Sequence, residues 1–105
     1  MAYFIKKNCP YCAEEGNLFV WRCADGKTLA LSCDECSALW PEFKKIEIGC
    51  ELSDIDLINN LLPGDGVAIY GGAAGWAVMS DMAEHGFSDQ VAGEGDWVEI
   101  KNNVN

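Results

Sequence analysis

The chain has little positive charge. It contains 7 lysines and arginines against 17 aspartates and glutamates, which gives a formal net charge of −10 over 105 residues. Because binding to a nucleic-acid backbone needs clustered Lys and Arg, this composition disfavours a nucleic-acid surface. A basic protein partner, or a gain in solubility, explains the acidic balance better.

Long apolar runs are also missing. The longest uncharged stretch, residues 66–80, has fifteen residues and is interrupted by glycines, whereas a membrane-spanning helix needs about 20 apolar residues. The first seven residues, MAYFIKK, lack the apolar core of a secretory signal. We therefore expect a cytoplasmic protein without a transmembrane segment.

Histidine occurs once, at position 85. A single histidine cannot build a histidine-rich metal site, and it does not by itself indicate a Ser-His-Asp arrangement. Because Gly86 follows it, His85 is expected to be a cation in the last turn of a helix. The glycine-rich segments 64–66 and 71–75 complete neither a dinucleotide-binding motif nor a P-loop, so we expect them to be turns.

Cysteine, in contrast, is frequent and ordered. Four of the 6 cysteines form two Cys-x-x-Cys pairs, CPYC at residues 9–12 and CDEC at residues 33–36, with twenty residues between them. Each short loop presents two sulfurs to one side of a metal, so the two pairs together match a tetrahedral zinc site. We predict Zn²⁺ as the cofactor, with the ligands Cys9, Cys12, Cys33 and Cys36. Since sulfur fills all four positions, no place remains for an activating water, and catalysis by the metal is not expected.

The segment between the two pairs is predicted to be a β-hairpin. Residues 18–23 and 27–33 are largely apolar, and Asp25-Gly26 between them is a strong signal for a two-residue turn. Such a turn fixes the register as Ala24–Lys27, Arg22–Leu29, Val20–Leu31 and Leu18–Cys33. Apolar side chains then lie on both faces, so we expect both faces to be covered.

The predicted register also decides the role of the remaining two cysteines. Cys23 lies about 16 Å along the strand from the end that carries Cys33, too far to be a metal ligand. Cys23 and Cys50 are expected to be small buried apolar residues, with a redox role for either left open.

The second half predicts a smaller layer of helices and strands. Residues 37–42 should cross back over the hairpin with Trp40 packed on it, and residues 43–48 could form a third strand. A helix should begin after the N-cap Ser53, with Asp56 as its capping-box partner, and end at Pro63-Gly64. Its apolar face is expected to consist of Ile55, Ile58 and Leu62, with Leu57 and Leu61 beside them.

Beyond this helix we predict a strand at 67–70, a helix at 73–85 that Gly86 ends, and a strand at 96–101 paired with 67–70. The whole is an α+β fold: a zinc ribbon in residues 1–49, and a small helix-and-strand half in residues 50–105 that packs on it as one domain.

Two resemblances bear on the cysteine motifs. From Cys9 to Trp40, the order Cys-Pro-x-Cys, two strands, CDEC and Trp resembles the zinc ribbons of small, mostly uncharacterised bacterial proteins. It covers about a third of the chain and implies a metal and a fold rather than an activity. The CPYC pair also resembles the redox motif of glutaredoxins, which implies a thiol oxidoreductase acting through Cys9. That family needs a helix directly after the motif, whereas residues 14–17 predict a break and then a strand.

Acidic residues gather late in the chain, namely Asp81, Glu84, Asp89, Glu94, Asp96 and Glu99. We therefore predict a non-catalytic zinc-ribbon protein that acts through protein–protein interaction, more specifically an acidic inhibitor such as an immunity protein or antitoxin. The residues expected to contact its basic partner are Asp89, Glu94, Asp96 and Glu99. The alternatives are a thiol oxidoreductase and a nucleic-acid-associated zinc ribbon.

Overall fold

One antiparallel sheet organises the part of the chain that the computed structural model describes, residues 2–12, 16–64 and 66–95. Its strands are β1 (Ala2–Asn8), β2 (Asn17–Arg22), β3 (Leu29–Cys33), β4 (Leu39–Trp40), β5 (Gly75–Trp76) and β6 (Val91–Gly95). Their order is β4-β3-β2-β1-β6, and β5 also pairs with β2. Within the same ranges lie two short helices, α1 (Asp54–Asn59) and α2 (Met79–Glu84), and 3₁₀ turns at Phe43–Lys45 and Ser88–Gln90. The predicted α+β class is confirmed.

The predicted hairpin has the predicted register. Strands β2 and β3 are antiparallel, with the pairs Leu18–Cys33, Phe19–Ser32, Val20–Leu31, Trp21–Ala30 and Arg22–Leu29. Because successive side chains alternate between the two faces of a sheet, this register divides the apolar residues into two sets.

Both faces of the hairpin are covered, as predicted. One buried group consists of Ile5, Cys9, Leu18, Val20, Leu29, Leu31, Cys33, Trp40, Ile46, Ala77 and Met82. The other consists of Cys23, Ala30, Leu39, Leu52, Leu62 and Ile69. Trp40 is fully buried on the hairpin, which confirms its predicted position, and Cys23 is a buried apolar residue at the end away from Cys33. The sheet therefore separates two small cores.

The turn of the hairpin differs from the prediction. The Asp25 carboxylate accepts hydrogen bonds from the backbone N–H groups of Lys27 (2.9 Å) and Thr28 (2.8 Å), so the loop is longer than two residues. Ala24 does not pair with Lys27, because its backbone is bonded elsewhere: its carbonyl accepts from the N–H of Ala73 at 3.0 Å. A segment of the second half thus replaces the last predicted pair of the hairpin.

The predicted strand at residues 43–48 is wrong. A 3₁₀ turn occupies Phe43–Lys45 instead, and the third strand beside the hairpin is the two-residue β4, which pairs with β3. Pro41 follows β4 directly, and since proline has no N–H to donate to a neighbouring strand, the pairing stops there.

Helix α1 begins as predicted and ends earlier. Ser53 Oγ accepts from the N–H of Asp56 at 3.2 Å, and the Asp56 carboxylate accepts from the N–H of Ser53 at 3.3 Å, so the capping box is present. The helix ends at Asn59 rather than at Pro63-Gly64, because Asn60 has a left-handed backbone conformation (φ 57°). The Asn60 side chain donates through Nδ2 to the Tyr70 carbonyl and accepts through Oδ1 from the Tyr70 N–H. Ile55 (69% exposed), Ile58 (81% exposed) and Leu61 (44% exposed) face solvent, so the predicted apolar face is wrong for these three residues, whereas Leu62 is buried as predicted.

The segment after α1 is less regular than predicted. Residues 67–70 contribute one isolated bridge, between Leu61 and Ala68, and not a strand. The helix predicted at 73–85 begins at Met79, because Gly75–Trp76 extends along β2 as β5. Its end before Gly86, which has φ 75°, is as predicted. The strand predicted at 96–101 lies outside the described residues.

Strands from both halves of the chain join the one sheet, since β5 pairs with β2 and β6 pairs with β1. The division into residues 1–49 and 50–105 stays a prediction. No helix in the described ranges has the length and apolar character needed to cross a bilayer.

Candidate metal centre

The four predicted ligands converge. The Sγ atoms of Cys9, Cys12, Cys33 and Cys36 all lie within 4.8 Å of one another. Two distances join the pairs crosswise: 3.7 Å from Cys9 to Cys36 and 3.8 Å from Cys33 to Cys12. A tetrahedron with Zn–S bonds of about 2.3 Å has edges of about 3.8 Å, so the cluster has the size that a zinc ion requires. All four cysteines are free thiols, and none forms a disulfide.

The sheet brings the two cysteine pairs together. The CPYC turn follows β1 directly, the CDEC turn follows β3, and the pairing of Leu18 with Cys33 aligns the start of β2 with the end of β3. At the first turn, the N–H of Cys9 donates to the carbonyl of Gly16 at 3.0 Å. At the second, the N–H of Cys33 donates to the carbonyl of Ala38 at 2.9 Å. Backbone hydrogen bonds therefore close both turns without a contribution from a metal.

Gly16 is a site residue that the sequence reasoning missed. A Cβ atom on Gly16 would lie 2.7 Å from Cys12 Cβ, 2.8 Å from Cys33 Sγ and 2.9 Å from Cys9 Cβ, shorter than real Cβ contacts. The residue lies between three of the four cysteines, and only glycine fits there. Its position, a glycine between the first pair and the next strand, was the available signal.

Asp34 is a second residue that was missed. It is 3% exposed, and its carboxylate accepts from the N–H of Asn17 at 2.9 Å, while its own N–H donates to the Asn17 carbonyl at 3.1 Å. This reciprocal pair fixes the CDEC turn to the first residue of β2. Asp34 thus orients the second cysteine pair without offering an oxygen to the four-sulfur cluster.

The thiols differ in proton affinity. Burial raises the pKa of Cys12 to about 11 and also raises the pKa of Cys33. Desolvation raises the pKa of Cys36 as well, but hydrogen bonds from the Ala38 N–H and from the neighbouring thiols lower it by a larger amount, so the pKa lies below its ordinary value. Without a metal, Cys12 and Cys33 therefore hold their protons at neutral pH, and a bound cation must displace them.

The cluster is open on one side. Cys9 and Cys33 are buried, Cys12 is half-buried and Cys36 is exposed. In the CPYC turn, the Tyr11 hydroxyl donates a hydrogen bond to the Glu51 carboxylate, which raises the pKa of Tyr11 and lowers that of Glu51. This bond ties the CPYC turn to the segment before α1.

The other residues considered from the sequence lie elsewhere. Cys23 does not join the cluster, and burial raises its pKa to about 11. Cys50 is half-buried, with its Sγ 3.9 Å from a Glu47 carboxylate oxygen. His85 is at the C-terminal cap of α2, and its Nε2 lies 2.6 Å from the Lys27 carbonyl oxygen, to which it donates.

The structure tests little of the predicted partner surface. Asp89 lies exposed in the Ser88–Gln90 turn and Glu94 lies exposed on β6, while Asp96 and Glu99 lie outside the described residues. Their role stays a prediction.

The surroundings of the CPYC turn differ from those of a glutaredoxin motif. Gly16 is the first described residue after Cys12 and leads into β2, so no helix follows the motif in the described residues. Cys9 itself is 1% exposed and faces Cys36. In the described residues, the Cys9 thiol is therefore buried and has no helix N-terminus beside it, whereas the first cysteine of that family is reactive because it is accessible and lies at a helix N-terminus.

Fold and site together define the class: a small α+β protein with a four-cysteine cluster compatible with a zinc-ribbon-like metal site. No family model matches the chain, and no curated protein or solved structure matches it.

Proposed function

We propose that Cys9, Cys12, Cys33 and Cys36 bind one structural Zn²⁺ ion. The observation that carries the proposal is the pair of S–S distances, 3.7 and 3.8 Å, across the two turns. Thiolate sulfur in a tetrahedral arrangement selects zinc or an iron–sulfur centre over oxygen-preferring cations. The ion would connect the end of β1 to the end of β3, and this link would stabilise a sheet whose two cores are small.

Metal analysis of the purified protein tests this part. We expect one zinc and no iron per chain. The half-buried Cys50 should react with a thiol reagent without metal release, whereas the buried Cys23 should react only after unfolding. Cys33→Ser should lower the zinc content to near zero, because it removes a buried ligand. Cys23→Ser is the matched control, since it changes a buried cysteine outside the cluster and should keep the zinc. Wild-type protein without zinc, or with iron, would refute the proposal.

We further propose that the protein is not an enzyme and acts by binding a basic protein partner, as an immunity protein or antitoxin-type inhibitor does. The net charge of −10 supports this, because it attracts a basic surface from a distance. The exposed pair Ile55 and Ile58 on α1, next to Asp54, adds apolar anchors beside negative charge. Exposed apolar groups of this kind often mark protein contacts.

The natural test uses the protein encoded beside this one in its genome. We expect a complex that weakens strongly as salt rises, because surface charges are screened. Ile58→Ser should weaken the complex, whereas the exposed Ile48→Ser serves as a matched control outside α1. Absence of binding at low salt, or binding that salt does not affect, would count against a basic partner while leaving the zinc proposal intact.

A further inference from the structure

The positive charges of this acidic protein are unevenly placed. Six of its seven Lys and Arg residues lie in the described ranges, and Lys101 lies outside them. The ion pairs in these ranges are Arg22–Asp81 (3.1 Å) and Lys45–Glu42 (4.0 Å). Three of the remaining lysines line two cavities on the same side of the protein.

The two cavities adjoin each other. The first has a volume of about 500 Å³ and is lined by Lys27, Thr28, Leu29, Pro41, Glu42, Phe43, Lys44, His85 and Phe87. The second has about 290 Å³ and is lined by Ile5, Lys7, Phe43, Lys44, Ile46, Phe87 and Gln90. They share Phe43, Lys44 and Phe87, and we call the two together the Phe43–Phe87 groove. The first cavity alone has the size of a site for a small organic molecule.

The floor of the groove is apolar and aromatic. The rings of Phe43 and Phe87 are stacked, with centroids 4.0 Å apart and an interplanar angle of 4°. The His85 ring lies nearly parallel to Phe87, at 6.1 Å and 11°. Leu29, which is 6% exposed, and Pro41 complete the apolar part of the first cavity. Aromatic side chains of this kind favour contact with another aromatic ring, either offset-stacked or edge-to-face.

The rim of the groove is basic. Lys27, Lys44 and His85 are exposed around the first cavity, against one carboxylate in its lining, Glu42, which is directed toward Lys45. Asp25 also acts on Lys27 from the hairpin loop. The second cavity carries Lys7 and Lys44, and no carboxylate is among its described lining residues. In a chain with 17 acidic residues this local excess of positive charge favours an anion.

We propose that the Phe43–Phe87 groove binds a small organic anion with an aromatic body, which packs against the stacked ring pair and directs a phosphate or carboxylate toward Lys27 and Lys44. This site shares no residue with the four-cysteine cluster, so it stands or falls independently of the zinc proposal. An apolar body matches the floor, and the charged group matches the ammonium ions on the rim.

Titration with phenyl phosphate and with benzoate, followed by amide chemical shifts, tests the site. We expect at least one of them to shift the signals of Lys27, Lys44 and Phe87 and to bind at least about ten-fold more tightly than neutral benzyl alcohol. Response to phenyl phosphate alone would assign a phosphate monoester, and response to both would assign organic anions more widely. No shift up to about 10 mM, or equal binding of benzyl alcohol, would overturn the proposal.

Substitutions separate charge from shape. Lys27→Gln and Lys44→Gln should each weaken anion binding about five-fold, the size expected for an exposed charge contact. Lys6→Gln is the matched control, because it removes an exposed positive charge that lines neither cavity and pairs with none of their carboxylates, and it should leave affinity unchanged. All three positions are exposed, so the variants should keep their fold, which the dispersion of the amide spectrum checks. Equal effects of Lys44→Gln and Lys6→Gln would show a non-specific charge effect and contradict the site.

Discussion

Gly16 shows how one residue outside the cysteine pairs limits the candidate metal site. Its missing side chain lets Cys9, Cys12 and Cys33 approach within a distance that a methyl group would prevent. We predict that Gly16→Ala lowers zinc affinity at least ten-fold, because one or more sulfurs must move off the tetrahedral positions. Competition with a chromogenic chelator measures this affinity.

The control for this substitution is Gly49→Ala, at a glycine whose Cβ would meet no atom within 4 Å. That glycine has φ 96°, so the exchange costs some stability by backbone strain but should not touch metal affinity. A Gly16→Ala protein with wild-type zinc affinity would contradict the geometry described for the cluster.

The metal ligands could be predicted from the sequence, but the residues that position them, Gly16 and Asp34, could not. The spacing of the two cysteine pairs is a local pattern, and Cys9, Cys12, Cys33 and Cys36 follow from it directly. The need for Gly16 and for the Asp34 carboxylate arises where β2 meets both turns, and that meeting depends on contacts between segments distant in sequence. No local sequence pattern therefore indicates the roles of Gly16 and Asp34.

At the scale of the elements, the hairpin and the start of α1 were predictable because local rules decide them. Alternating apolar residues around Asp25-Gly26 determine the register, and Ser53 with Asp56 determines the first turn of α1. Strand β5 was not predictable, because its two residues pair with the end of β2 and are too few to show a period. The same pairing explains why the helix predicted from residue 73 begins at Met79.

The position of α2 depends on Asp81. Its carboxylate accepts from Arg22 Nη1 on β2 at 3.1 Å and from the N–H of Val78 at 2.9 Å, so one side chain both starts the helix and ties it to the sheet. We predict that Asp81→Ala lowers the free energy of unfolding by about 1–3 kcal/mol. Asp81→Asn should cost less, because an amide oxygen still accepts from Val78. Urea unfolding with bound zinc measures both.

Glu84→Gln is the matched control for Asp81, since it removes an exposed carboxylate from the same helix without a described partner on β2. It should change the free energy of unfolding by less than about 0.5 kcal/mol. Equal losses for Asp81→Asn and Asp81→Ala would assign the stabilisation to the ion pair with Arg22 rather than to the helix start.

For the whole molecule, we expect pH to control stability through its effect on metal binding. Zinc binds thiolates, and burial holds Cys12 (pKa about 11) and Cys33 in the protonated form when no metal is present. Binding must therefore release at least two protons, and lowering the pH opposes binding by mass action. We predict that zinc affinity falls at least about 100-fold for each pH unit between pH 8 and 6. Chelator competition at fixed ionic strength across this range measures the slope.

The release of metal should in turn lower thermal stability, because the ion stabilises only the folded chain. The melting temperature of the zinc-bound protein should fall from pH 8 to 6, whereas protein stripped with a chelator should change much less, since Cys12 and Cys33 stay protonated throughout. Cys23→Ser should leave both slopes unchanged, because Cys23 lies in the other core and releases no proton on metal binding. An affinity that does not vary with pH would mean that the cluster does not bind zinc through its buried thiols.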